Sequence, residues 1–286
     1  MMSKRSGAVS IACTVSITLS ALMNAALPSV SQAQSADLVL CDRVAADPAD
    51  PDKPKDVQGT PTIAPSDVAI AIKFCKIAAA QSRRALYELG RAYAANKQLP
   101  EAVGAYRKAA DKGSTAAMVE LGVLFSTGAG VGKDQAQARK LFERAAAAGN
   151  SRGMTNLAAL PNGGGAAMDP GQQRGLLAKA AEENSAEAQF QLGLMYANGT
   201  GGPQDDVAAR ALFEKAAAQS HAGALEWMGA FAQSGRGGPK DTGAAKAYYE
   251  KAAALGDEDA KAALKRLDCP YVIKDKRGNV VTNLCF

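Results

Sequence analysis

Catalysis and ligand binding draw on a short list of groups, and this 286-residue chain offers thin candidates for each. His221 is the only histidine. It stands in the turn "QSHAGA", and no Ser and Asp lie at spacings that suggest a triad with it, so it reads as an exposed polar residue. Five cysteines are present: Cys13, Cys41, Cys75, Cys269 and Cys285. None forms a CxxC pair, and the last four divide into two at each end of the chain, which argues against a zinc site. Four glycine-rich stretches, "STGAGVGKD", "PNGGGAAMD", "NGTGGPQDD" and "SGRGGPKD", have the look of phosphate cradles. No Lys-Ser or Lys-Thr pair follows any of them, and their glycines are better explained as positive-φ turn residues. Glu143, Glu214 and Glu250 recur at one register, but each precedes Arg144, Lys215 or Lys251 and belongs to a solvated helix face. The reading assigns no catalytic, cofactor-binding or metal residue.

The beginning of the chain speaks to compartment. Lys4 and Arg5 precede an uncharged stretch from Ala8 to Leu27, followed by Pro28 and by small residues at Ser31 and Ala33. That order predicts a secretory signal over 1–33, cleaved near Ala33, and a periplasmic or secreted protein. The alternative is a retained membrane anchor, for which the stretch is long enough but poor in strongly apolar residues. Loss of Lys4 and Arg5 lowers the net charge from +5 to +3 (5 − 2), which is no nucleic-acid balance. An even number of cysteines, Cys41, Cys75, Cys269 and Cys285, then remains for disulfides. Three pairings are possible, and the positions favour the local one, Cys41–Cys75 and Cys269–Cys285.

Two landmarks recur in phase along the chain, and the elements they mark must position any site. Ala-Ala pairs stand at Ala109, Ala145, Ala180, Ala216 and Ala252, spaced by 36, 35, 36 and 36 residues. Small residues at Gly90, Gly122, Ala158, Gly193 and Gly229 keep step, spaced by 32, 36, 35 and 36. A fixed period of this length predicts stacked two-helix units. In each unit the first helix carries the small residue where its partner approaches closely, since an interior glycine otherwise costs about 1 kcal/mol. The second helix starts at an acidic cap, at Asp134, Asp169, Asp205 and Asp241.

The phrase A-x-x-x-L-G-x-x-(Y/F), a glycine-rich turn, Asp, and then A-x-x-(Y/F)-x-(K/R)-A-A-x-x-G resembles the Sel1-like repeat, a relative of the tetratricopeptide repeat. Units beginning at Ala117, Ala188 and Ala224 match it closely. The unit at Gly153 is degenerate, and the one at Ala85 has the shorter turn "ANKQLPEA", which looks more like a tetratricopeptide repeat. The resemblance covers about 83–266 and implies an all-α, right-handed α-solenoid of five αα-hairpins that binds other proteins. Exported relatives that restrain a membrane signalling partner are similar in size and layout. Some cysteine-rich relatives have been linked to β-lactam hydrolysis or penicillin binding, so a cell-envelope hydrolase or peptidoglycan-binding protein is the alternative. Those relatives carry a cysteine pair in each repeat, whereas residues 85–266 contain no cysteine.

The same register implies which residues point into the solenoid groove: Tyr87 and Arg91, Val119 and Val123, Thr155 and Ala159, Phe190 and Leu194, Glu226 and Ala230. Val119, Val123, Phe190 and Leu194 would form an apolar strip flanked by Arg91 and Glu226, suited to a protein partner in the cell envelope. Alternatively these residues contact neighbouring helices or the chain's own arm. That arm, 34–65, holds "AADPADPDKPKD" and "GTPTIAP", whose proline density predicts an extended segment. A cap helix is expected over 66–82. At the other end, 267–286 reads as a β-hairpin turning at Gly278-Asn279 and closed by Cys269–Cys285. Pro161 should end the first helix of the degenerate unit at or just before Leu160, which makes 153–168 a candidate hinge.

Overall fold

The computed structural model describes residues 35–160, 168–268, 271–274, 276–277 and 280–284. The expected leader over 1–33 lies outside them. Five first helices, α3 (Arg83–Ala95), α5 (Thr115–Thr127), α7 (Ser151–Ala159), α9 (Ala186–Asn198) and α11 (Ala222–Ser234), alternate with five second helices. The latter are α4 (Leu99–Asp111), α6 (Gln135–Ala147), α8 (Pro170–Glu182), α10 (Asp206–Ala218) and α12 (Thr242–Ala254). Each first helix starts where a polar side chain accepts a backbone N–H from three residues on: Ser82, Ser114, Asn150, Ser185 and His221. Asp134, Asp169, Asp205 and Asp241 cap four of the second helices in the same manner, as the sequence predicts.

The in-phase glycines have a packing cause. A Cβ added at Gly90, Gly122, Gly193 or Gly229 would lie 2.4–2.6 Å from the ring of Tyr106, Phe142, Phe213 or Tyr249 respectively. In these four units the second helix therefore lays an aromatic ring across the bare backbone of its own first helix. In the degenerate unit Ala158 faces this role with Leu177, both buried, so a larger small residue meets a smaller large one. The alanine landmark is core as well: Ala109, Ala145, Ala180, Ala216 and Ala252 are fully inaccessible. Helices that meet over alanine approach closely, and each interface adds a little burial to a row of small cores.

Pro161 has the expected effect on its predecessor. Helix α7 has 9 residues where the other first helices have 13, and Leu160 caps it with extended backbone.

The ends depart from the sequence reading in one respect. The arm is not extended throughout. Residues Ala36–Ala45 form a helix, α1, capped by Ser35, and the chain becomes irregular only from Ala46. The prolines that suggested extension begin at Pro48; the ten residues before Ala46 contain neither Pro nor Gly, so nothing breaks the helix. The cap helix, α2, spans Val68–Ala78 and packs between α1 and α3. Cys41 of α1 and Cys75 of α2, both fully buried, form a disulfide. After α12 the array continues with α13 (Glu258–Asp268), and β1 (Tyr271–Lys274) then pairs antiparallel with β2 (Val280–Leu284). The expected Cys269–Cys285 bridge falls outside the described residues.

Candidate functional site

The first helices present one register of side chains along the array, and the arm lies on its N-terminal part. Arg84 grips Asp42 of α1 with two hydrogen bonds of 2.9 Å, and donates at 3.2 Å to the Asp52 carbonyl. Arg83 pairs with the Asp52 carboxylate at 2.6 and 2.7 Å. The Tyr87 hydroxyl donates to Asp47 at 2.6 Å. Arg91 donates to three arm carbonyls, Ala45 at 2.6, Thr60 at 2.7 and Pro61 at 2.9 Å. Two repeats further on, Arg152 lies 3.6 Å from Asp47 and 2.5 Å from Glu120. The arm is thus held by charge-assisted bonds to its side chains and through its backbone carbonyls, at the end of α1 and in the irregular chain that follows.

Beneath this contact lies a carboxyl cluster. Glu88 and Asp42 are buried, and Glu88 Oε2 sits 2.7 Å from Cys41 Sγ. A disulfide sulfur carries no proton, so Cys41 is no donor in this contact. Burial, then the Asp42 charge, pushes Glu88 up to about 9, against the opposing pull of Arg84. Burial likewise pushes Asp50 up to about 6. Cys41, Cys75 and Glu88 converge within 4.8 Å, but the sulfurs are spent in the disulfide and cannot act as thiolate ligands.

The structure separates the expected groove residues. Tyr87 and Arg91 do not line an open groove, because the chain's own arm occupies it. Val119 is fully buried and belongs to the core, and Thr155 is buried with its hydroxyl donating to the Ser151 carbonyl at 2.9 Å. Val123 is half-buried and Ala159 exposed. Phe190, Leu194, Glu226 and Ala230 keep part of their surface accessible. One register reaches core, arm or solvent according to what stacks above it in each unit.

Trp227 escaped the sequence reading, and so did the role of His221. Trp227, half-buried beside Glu226, packs its ring 5.5 Å from Phe213 and 6.1 Å from Phe231. Phe190 stacks on His221 with ring centroids 4.6 Å apart. His221 is a cap, not a free turn residue: Nδ1 accepts from the Ala224 N–H at 3.2 Å, and Nε2 lies 2.9 Å from Glu187 Oε2. With both nitrogens engaged it is poorly placed as a general base. Its hydrogen bond is the main cause that holds Glu187 below the usual carboxylate range. The series Ser82, Ser114, Asn150, Ser185, His221 was visible in the sequence and could have assigned the role.

Comparison with known proteins fits this picture. The Sel1 repeat family model matches 115–150, 186–221 and 222–257. Each match starts on the residue after a first-helix cap and ends on the next cap: Asn150 of α7, His221 of α11 and Asp257 of α13. A solved Sel1 repeat protein from Oxalobacter formigenes is 29% identical, with a TM-score of 0.62, covering 71% of this chain and 61% of its own. The protein c5321, a protective antigen of uropathogenic Escherichia coli strains with an SLR fold, is 27% identical with a TM-score of 0.61. That match covers 72% of this chain and 46% of the antigen, so the chain spans less than two thirds of either neighbour. No curated protein matches the sequence significantly. Among the described residues no helix is long and apolar enough to cross a membrane.

Proposed function

This chain is a Sel1-repeat protein, and from that premise we propose that it is a non-catalytic interaction protein of the cell envelope, a scaffold or regulator of a protein partner. The observation that carries the reading is the division of the first-helix face. Its N-terminal half already holds a segment of chain, its own arm with helix α1, through Arg84, Tyr87 and Arg91. Its C-terminal half offers Phe190, Leu194 and Trp227 with surface still accessible. Half-exposed aromatic and aliphatic side chains on a preformed helical face suit a peptide or protein ligand, and the arm is an internal example of the binding mode. Sel1 repeats in general serve as protein-interaction modules.

The envelope location rests on the basic-apolar-small order of 1–33 and on the Cys41–Cys75 disulfide, which suits an oxidising compartment. A membrane signalling protein is the partner class that the resemblance implies. Co-purification from the native envelope fraction tests the function. Wild-type protein should bring down a specific partner that Leu194→Asp, folded as judged by circular dichroism, does not. Equal recovery by both would contradict the proposed face.

A further inference from the structure

At one register position of the first helices the charged residues change sign along the array, and the arm shows what that means for an occupant. At the position six residues before each in-phase small residue, the first and third units carry Arg84 and Arg152, and both face arm aspartates. The fourth unit carries Glu187 at that position, and α13 carries Asp259. Glu226 belongs to the same half. It is half-buried, and among the described residues it has neither a hydrogen bond nor an ion pair. Burial raises its proton affinity, Asp257 and Asp259 raise it further, and Arg266 is the one cation that opposes them. Asp257 is committed to capping α13 through the Ala260 N–H, and Glu187 is committed to His221. Glu226 is therefore an unmatched carboxylate beside the aromatic floor.

We propose that the C-terminal half of the face binds an extended segment of another protein in which a lysine or arginine stands among apolar side chains. The cation meets Glu226 and Asp259, and the apolar side chains cover Phe190, Leu194 and Trp227. The complementarity mirrors the other half, where an aspartate-bearing segment lies on arginines. A desolvated carboxylate without a partner gains most from a cation that arrives with its own apolar surroundings. This deepens the interaction reading above and rests on it.

Trp227 is the only tryptophan of the chain, so its emission reports directly on the site. The probe is the synthetic peptide acetyl-Gly-Leu-Pro-Lys-Leu-Pro-Lys-Leu-Gly-amide, whose prolines keep it extended. Two controls replace both lysines by glutamate or the three leucines by serine. The basic apolar probe should change Trp227 emission saturably, with a dissociation constant below about 1 mM. Glu226→Gln should weaken it by about fivefold or more, Glu226→Asp should retain binding, and both controls should bind more weakly. The proposal is overturned if the basic probe gives no saturable change, if the glutamate probe binds equally well, or if Glu226→Gln binds as wild type in a protein with unchanged circular dichroism. A dimer in sedimentation that Glu226→Gln dissociates would assign the face to a second copy and also overturn it. A native partner captured at Leu194 whose affinity ignores Glu226 would leave the interaction reading standing and refute only the chemistry proposed here.

Discussion

Arg84 and Asp42 face each other across 42 residues of sequence with two parallel hydrogen bonds of 2.9 Å, and both side chains are largely or wholly withdrawn from water. This pair bolts α1 to the first repeat. Arg84→Ala should cost about 3 kcal/mol or more, since it leaves the buried Asp42 charge beside Glu88 without its cation. The double variant Arg84→Met, Asp42→Leu should be less destabilised than the single one. Chemical denaturation of the three proteins checks both, and a single variant no less stable than the double would contradict the role given to the pair.

The carboxyls where the arm meets the first repeat give the stability a pH slope of defined sign. Asp50 is raised from 3.8 to about 6 and Glu88 from 4.5 to about 9 in the folded state. Groups raised on folding contribute stability that is present below their unfolded values and lost as pH rises through the folded ones. Asp47, Asp52 and Arg84 surround Asp50, and Asp42, Asp50 and Arg84 surround Glu88. The lowered carboxyls, Glu187 and Asp206, act in the opposite sense, but only in the acid range below their ordinary values. Denaturant midpoints should therefore fall from about pH 5 to about pH 9, and Glu88→Gln should flatten the slope above about pH 6. A wild-type midpoint that rises over that interval would count against the buried cluster.

His221 occupies the cap position that Ser114 and Ser185 hold in other units. His221→Ala should lose about 1 kcal/mol, while His221→Ser should retain most of the stability because serine makes the same bond to the Ala224 N–H. If serine proves as damaging as alanine, the Glu187 contact and the stacking on Phe190 carry the residue instead.

The unit with α7 should be the least protected of the array. Its first helix is four residues shorter than its neighbours (13 − 9), and no aromatic ring crosses its backbone. Nearest-neighbour stability is then lowest there. Amide hydrogen exchange should be faster at Met154 and Leu157 than at Leu192 and Met195. Equal protection would show that the neighbouring units hold α7 rigidly.

How much of this could be read in the sequence depends on the range of the interaction. The period, the aspartate caps and the end of α7 at Pro161 are local or repeated, and repetition amplifies a local signal. Helix α1 was hidden because the prolines after it coloured the whole arm. The Arg84–Asp42 and Arg91–Thr60 contacts could not be read at all, since no periodicity links the arm to the repeats and only folding brings them together. Trp227 was missed for a subtler reason. The register carried over from related repeats marks the positions two residues either side of the Leu-Gly leucine, and Trp227 is one residue before its counterpart Met228. The equivalent residue of the preceding unit, Gln191, is polar and bonds Glu187 at 2.8 Å, so nothing in the repeat register marked that position as apolar.

Site-specific photocrosslinking in the native host tests the division of the face most directly. A benzophenone amino acid replaces Leu194 on the open half, Arg91 under the arm, or Lys140 on a second helix. The expected result is a partner adduct at 194, an intramolecular product or none at 91, and no adduct at 140. A partner adduct at 91 with none at 194 would contradict the claim that the arm fills one half and leaves the other for a partner.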